Sequence, residues 1–346
     1  MAEVRGRNVQ SNLRTGIRLI QALGLVEQTR NGPAVVVPEP VLTITEQPME
    51  RVLLNPARDA NPFFHLMEAF WMLAGREDVK SISRYSTGIK PFSDNGVTFH
   101  GAYGRRWRWG WDDDQLKDII HSLRQDRSNR RLVLTMWNPD QDLRASSLDL
   151  PCNTHVYFRV RSGSVLDMTV CCRSNDAIWG CYGANAVHFS VLQEFVAAAS
   201  GLQMGHMYQL SNNLHAYVDV MDKLVAAGFT ADRDVWYYEA GIVHATSLFN
   251  PRAHEIEPET LLRDLTRIWE SIAAGHGKDP GMFLLTTNQV LSEAGFWTLQ
   301  RMHQAWENFK TRQRARAMES ARLIPASDWS RACHEWLERR YTDATA

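Results

Sequence analysis

Three β-rich runs, Arg131–Met136, His155–Val160 and Val165–Val170, follow one another with turn signals between them, notably Ser162-Gly163. Runs of this length and spacing pair with each other, so the centre of the chain is a sheet. Helical patterns surround it. Val9–Leu25 sets Leu13, Ile17, Ile20 and Leu23 on one face and ends at the turn Thr29–Pro33. Asn61-Pro62 opens a helix that is apolar almost all round from Met67 to Leu73 and stops at Gly75. Such a helix is buried, and Glu68 is drawn inside with it. Asp112–Asp114 supplies acid for the first turn of a helix carrying Leu116, Ile119, Ile120 and Leu123, where it complements the helix dipole. Ala186–Ser200 and Ala216–Ala227 are helical, closed by Gly201 and Gly228. From about Glu259 the chain is mostly helix; Phe296–Met318 and Asp328–Arg339 carry mixed charge and read as a covering or assembly element, with Arg312, Arg314 and Arg316 on a solvated face. The fold class is α/β (α+β), with helices flanking a central mixed sheet.

Composition removes several function classes. Lys and Arg number 38 against 39 Asp and Glu, which leaves no basic excess to grip a nucleic-acid backbone. No apolar run approaches the roughly 20 residues that span a bilayer, and Met1–Arg5 lacks a signal-peptide core, so the expected location is the cytoplasm. Five cysteines, two of them adjacent at Cys171-Cys172, suit a reducing compartment rather than a disulfide framework. Neither Cys-x-x-Cys nor His-Glu-x-x-His spacing occurs, so no metal is indicated. Cys152 remains as the candidate nucleophile. It sits in Leu150-Pro151-Cys152-Asn153, on a proline-bounded turn between strand runs, with arginines near enough to favour the reactive thiolate.

The motifs Ala102-Tyr103-Gly104-Arg105-Arg106-Trp107, Ser128-Asn129-Arg130-Arg131, Pro151-Cys152, Arg173-Ser174-Asn175-Asp176 and Leu214-His215-Ala216-Tyr217 follow the Asn61-Pro62 helix in order. In that order the chain resembles the thymidylate synthase and pyrimidine nucleotide hydroxymethylase superfamily, from about Arg30 to about Val220. The resemblance implies one catalytic domain over 1–346, with a core of about 30–255 and a helical C-terminal extension of about 256–346. It also implies transfer of a one-carbon unit from 5,10-methylenetetrahydrofolate to C5 of a pyrimidine nucleoside monophosphate, in a homodimer with shared sites.

By the same resemblance Cys152 adds to C6 of the base, which makes C5 nucleophilic. Arg30, Arg173 and Ser174 hold phosphate, and Arg130 and Arg131 reach into the neighbouring subunit's site. Glu68 organises water and proton transfers. Tyr103 assists loss of the C5 proton, Asp176 faces the folate, and His215 with Tyr217 bonds the sugar hydroxyl. The loop Gly180–Asn185 is one residue longer than in typical synthases. Counting from the arginine motif puts Ala184 at the base-reading position, and counting back from His215 puts Asn185 there. Asn185 is preferred, because only an amide can contact the pyrimidine edge and the helix after it has no room for an insertion. An amide there suits uracil.

Two departures concern water. Tyr85–Asp94 replaces the tryptophan-rich segment of synthases, and Tyr341–Ala346 does not match their closing tail. Both features normally keep water from the exocyclic methylene intermediate until hydride reduces it. The reading is therefore hydroxymethylation of dUMP, with reductive methylation of dUMP and hydroxymethylation of dCMP or CMP as alternatives.

Overall fold

The computed structural model describes residues 1–229, 237–274 and 289–343. The strands are β1 (Ala2–Gly6), β2 (Leu25–Thr29), β3 (Gly32–Val36), β4 (Val41–Thr45), β5 (Val133–Thr135), β6 (Asn153–Arg161), β7 (Val165–Cys172), β8 (Asn175–Asp176), β9 (Gln203–Ser211) and β10 (Leu214–Tyr217). The helices are α1 (Val9–Leu23), α2 (Pro62–Leu73), α3 (Val79–Ile82), α4 (Tyr103–Trp109), α5 (Gln115–Gln125), α6 (Pro139–Asp142), α7 (Asn185–Ser200), α8 (Val218–Ala226), α9 (Pro258–Ala273), α10 (Glu293–Lys310), α11 (Arg314–Arg322) and α12 (Ser327–Asp343). Six strands form a mixed sheet in the order β1-β4-β9-β7-β6-β5, and four form a smaller one in the order β2-β3-β10-β8.

The three β-rich runs become β5, β6 and β7, paired antiparallel as Val133↔Tyr157 and Tyr157↔Thr169. Ser162 and Gly163 turn between β6 and β7 with φ of 52° and 73°, the left-handed pair that a tight hairpin needs. Alternation then divides the sheet. Val156, Phe158, Leu166, Met168 and Val170 are buried against α7, whose Val187, Phe189, Leu192, Phe195 and Val196 are buried with them. The opposite face carries Val133, Tyr157, Thr169 and Tyr208 in one register row, with Tyr157 44% exposed and Val133 38% exposed. No described segment covers that row.

Helix α2 begins where expected. The Asn61 side chain accepts from the Phe64 amide at 3.1 Å and Pro62 takes the first helical position. Its apolar surround is shared out among α7, α9, α10 and α12; Phe63 lies 5.5 Å from the Trp306 ring and 5.7 Å from the Trp336 ring. The C-terminal helices therefore belong to the same hydrophobic core as the sheet. At Gly104, the backbone of α4 rests on that of α2, and a Cβ there would overlap the Met72 carbonyl. This contact sets the depth of Tyr103.

Several expectations need correction. Residues before 30 also join the fold: β1 pairs with β4 in the large sheet, and α1 packs against it. The first helix stops at Leu23, because the Gly24 amide caps Ile20 and the chain turns into β2. Ala216 and Tyr217 are not helical; their backbone pairs with Val35 and Ala34 of β3, and α8 starts only at Val218. Asp114 does more than complement a dipole, since it caps α5 and pairs with buried Arg108. The helix expected over Phe296–Met318 breaks at Thr311–Gln313 into α10 and α11. Part of the stretch after Glu259 lies outside the described residues.

Candidate active site

Strand ends from both sheets converge on one cleft of about 540 Å³. Arg30 and Asn31 enter it from the β2–β3 turn, Cys152 from the turn before β6, and Arg173 and Ser174 from the link between β7 and β8. Parallel pairing of β8 with β10 sets Asp176 against His215, and antiparallel pairing of β10 with β3 carries Tyr217 to the same rim. Asn185 arrives at the first turn of α7 and Tyr103 at the first turn of α4. All of these line the cleft.

Cys152 lies 3.9 Å from Nη2 of Arg173, whose Nε donates to Pro151 O at 2.8 Å and whose Nη2 donates to Leu150 O at 3.2 Å. The arginine thus holds the cysteine turn and faces the sulfur at once. Burial pushes the Cys152 thiol above its ordinary pKa; Arg173 and Arg30 pull it down, while Asp149 and Asp176 reinforce the rise. The Tyr103 hydroxyl oxygen accepts from the amides of Cys152 and Asn153, both at 3.2 Å. With two N–H groups on its oxygen, its proton is left to point at a ligand. Burial raises this phenol well above its usual range.

A directed chain of hydrogen bonds orients Asn185. Buried Cys172, held as thiol by desolvation, donates to Asn153 Oδ1 at 2.8 Å; Asn153 Nδ2 donates to Asn185 Oδ1 at 3.4 Å. Asn185 Nδ2 then donates to Asn175 Oδ1 at 3.2 Å, and Asn175 Nδ2 to Ser211 Oγ at 3.0 Å. Reversing any one amide would set like against like along the chain. Ala184 does not line the cleft. The residue inserted before Asn185 is absorbed in Ala177–Ala184, a wide-turn segment in which the Asn185 amide reaches back to Gly180 O, with Tyr182 and Gly183 outside helical geometry.

Asp176 Oδ1 accepts from the amides of Ile178 at 2.8 Å and Trp179 at 2.6 Å, while Oδ2 is buried with no hydrogen-bond partner among the described residues. Burial raises this carboxyl's pKa, and the two amides and the nearby His215 and Arg58 oppose the rise. Trp179 is 56% exposed at the rim and stacks on Arg58, 4.5 Å from the ring centre. His215 Nδ1 is 2.9 Å from Asn213 Oδ1, and the Tyr217 hydroxyl accepts from Asn31 Nδ2 at 3.2 Å.

Glu68 does not reach this cleft. It lines an adjoining cavity of about 150 Å³, walled by Trp71, Ile89, Phe92 and Phe99, where its carboxylate is 3.0 Å from His188 Nε2. Tyr103, Phe92 and Asp149 line both spaces. Arg130 and Arg131 precede β5 and do not line their own chain's cleft. A groove of about 630 Å³ at Lys80, Arg84, Lys90 and Lys310 is larger, yet no cysteine and no side-chain amide lines it, so volume does not decide the site. Among the described residues no group of three or more His, Cys, Asp or Glu could hold a metal ion, and no helix is long and apolar enough to cross a membrane.

Asp149, Asn153, Asn175, Arg58 and Trp179 escaped the sequence reading. Asp149, Asn153 and Asn175 lie within or beside the cysteine and arginine motifs, and that adjacency was the available signal. Arg58 and Trp179 carried none.

The thymidylate synthase family model matches residues 57–229, the span that holds the cleft residues from Phe92 to Tyr217. The chain is 40% identical over 347 residues to a deoxyuridylate hydroxymethyltransferase of Pseudomonas phage M6, covering 98% of this chain and 95% of that protein. It is 37% identical over 191 residues to a deoxyuridylate hydroxymethyltransferase of Bacillus phage SP01, covering 52% of this chain and 50% of that protein. A thymidylate synthase of Symbiobacterium thermophilum is 31% identical over 179 residues, 47% of this chain and 62% of the relative. A cysteine turn held by an arginine, a phenol on its backbone and an oriented asparagine occupy the matched span, and the chain belongs to the thymidylate synthase family.

Proposed function

We propose that this enzyme transfers a one-carbon unit to C5 of dUMP and releases 5-hydroxymethyl-dUMP, by way of a Cys152 adduct. The observation that carries the reading is the Asn185 amide, pinned with Oδ1 and Nδ2 in known places beside Cys152. Its remaining N–H suits O4 of uracil and its remaining lone pair suits N3–H; cytosine presents the opposite pattern. Near-full-length identity to a deoxyuridylate hydroxymethyltransferase supports the same substrate and product.

Roles follow from position. Arg30, Arg173 and Ser174 line the cleft where a phosphate dianion would meet two guanidinium groups. His215 and Tyr217 bond the sugar. Tyr103, with its proton free, assists removal of the C5 proton, and Glu68 orders water behind the base. Methylenetetrahydrofolate supplies the one-carbon unit as co-substrate. Asp176, which lines the cleft, faces the pterin.

Arg130 and Arg131 serve the cleft of a second copy, with the uncovered sheet row around Tyr157 as the dimer face. The chain, 1–346, acts as one catalytic domain, a reading supported by α9–α12 sharing the core of α2. Five unpaired cysteines accord with a cytoplasmic enzyme.

The product choice rests on what covers the cleft. Phe92 is 51% exposed on the short Thr87–Phe92 turn, and no described residue of α12 lines the cleft; Arg339 and Arg340 of that helix are bonded to Asp59. A cleft left open on this side would admit water to the methylene carbon. Turnover of 5-tritiated dUMP with methylenetetrahydrofolate should release tritium and yield a 5-hydroxymethyl nucleotide by mass, without the absorbance rise of dihydrofolate. A 5-methyl product with stoichiometric dihydrofolate would overturn the reading.

A further inference from the structure

Asp149 stands where the two spaces meet. It precedes Cys152 by three residues and lines both the 540 Å³ cleft and the 150 Å³ cavity. Its backbone is tied down: its amide donates to Ser147 Oγ at 3.0 Å, and the preceding Leu148 amide donates to Asp94 Oδ1 at 3.1 Å. Oδ2 accepts from the Gly101 amide at 2.8 Å, and Oδ1 has no hydrogen-bond partner among the described residues. The surrounding walls are aromatic, at Trp71, Phe92 and Phe99. One oxygen is anchored by the Gly101 amide, and the residue lines a cavity walled largely by aromatic rings, where a water held by the carboxylate has few competing partners.

The other nearby groups are poorly suited to take a proton from that water. Glu68 lines the smaller cavity alone and not the cleft that holds Cys152. Asp176 Oδ1 is occupied by two amides, and its Oδ2 is closed off from solvent. Tyr103 is a phenol whose proton burial retains.

We propose that Asp149 is a further catalytic residue, the base that positions and deprotonates the water adding to the exocyclic methylene of the Cys152-bound pyrimidine. This rests on the dUMP hydroxymethylation reading. In the step, the water oxygen bonds to the methylene carbon, the methylene π pair moves through C5 onto O4 as an enolate, and the water proton passes to Asp149. The enolate then re-forms the C4 carbonyl and the C5–C6 double bond, expelling the Cys152 thiolate. Asp149 returns its proton to solvent. Nothing is oxidised or reduced, so no hydride donor is consumed. Burial raises the Asp149 pKa and Glu68 reinforces the rise, while the Gly101 amide, His100 and Arg106 oppose it; a rise is the direction that strengthens a carboxylate as a base.

The test compares the full-length wild-type enzyme with Asp149→Asn and Asp149→Glu, using 5-tritiated dUMP and methylenetetrahydrofolate. Loss of the C5 proton precedes water addition. Asp149→Asn should therefore release about one equivalent of tritium per site near the wild-type rate and then stall, with hydroxymethyl product down roughly 100-fold, the scale of a lost general base. Added 2-mercaptoethanol should restore turnover and divert product to the 5-thioether, because a thiolate needs no base. Asp149→Glu should recover part of the hydroxymethyl product, with an acid limb in its pH profile that Asp149→Asn lacks. Equal loss of tritium release and product in Asp149→Asn, or normal product from it, would overturn the proposal. If Asp149→Asn fails to bind dUMP, an Asp149→Glu profile identical to wild type would overturn it instead. A wild-type enzyme that makes a 5-methyl nucleotide would defeat the underlying reading rather than this assignment alone.

Discussion

Replacing Arg173 with glutamine removes a positive charge 3.9 Å from the Cys152 sulfur while keeping a side chain able to bond one of the turn carbonyls. Two unit charges about 4 Å apart interact by about 1 kcal/mol in water and about 4 kcal/mol at an effective dielectric of 20. Arg173 sits at the solvent-facing rim, so about 1–2 kcal/mol is the appropriate range, equivalent to a thiolate population lower by roughly 5- to 30-fold. The direction is set by the thiol. Burial already holds the Cys152 pKa above its usual value and Arg173 works against that, so losing Arg173 moves it further up. At neutral pH, below that pKa, the thiolate fraction falls by the full factor; at high pH, with both proteins ionised, the difference closes.

The assay is the second-order rate of iodoacetamide alkylation at Cys152 in ligand-free protein, followed by mass between pH 6 and about 10, since only the thiolate reacts. Arg173→Gln should react about 5- to 30-fold more slowly at neutral pH, on a profile displaced to higher pH. Arg173→Lys should stay near wild type, because the charge remains although the planar fork is lost. An unchanged Arg173→Gln profile would refute the electrostatic role. Arg173→Lys as slow as Arg173→Gln would show that the carbonyl bonds of the turn matter instead.

Asn185→Asp should move the dUMP to dCMP ratio of kcat/KM by roughly 10- to 100-fold toward cytosine, since a mispaired polar contact costs about 1–3 kcal/mol; an unchanged ratio would place base reading elsewhere. Because the new carboxyl faces Asn175 Oδ1 across the 3.2 Å gap that Asn185 Nδ2 now bridges, the variant should work best at low pH, where it can still donate. If Arg131 serves the cleft of a second copy as proposed, Arg131→Ala mixed with Cys152→Ala should regain part of the lost activity, because one of the two sites would then have both groups. Verified heterodimers without activity would assign Arg131 to its own subunit or to no phosphate.

What depends on neighbours along the chain is readable before any fold exists. Asn61-Pro62 caps α2 because a side-chain oxygen and a proline ring act within one turn, and Ser162-Gly163 turns β6 into β7 for the same local reason. The order of motifs likewise pointed to the family and to Cys152, Arg173 and Asn185 at one site. Tertiary structure decided the rest. Ala216 and Tyr217 carry a helix-compatible pattern, yet the open edge of β3 takes up their backbone, and no local rule reveals a partner some 180 residues away. The orientation of Asn185 depends on Cys172, Asn153, Asn175 and Ser211, which stand at the ends of different strands and meet only when the two sheets form. Glu68 was legible as enclosed but not as facing a separate cavity, and Asp149 was one residue outside the motif that drew attention to Cys152. Reactivity is a property of the space between elements, and that space exists only after the core has closed around it.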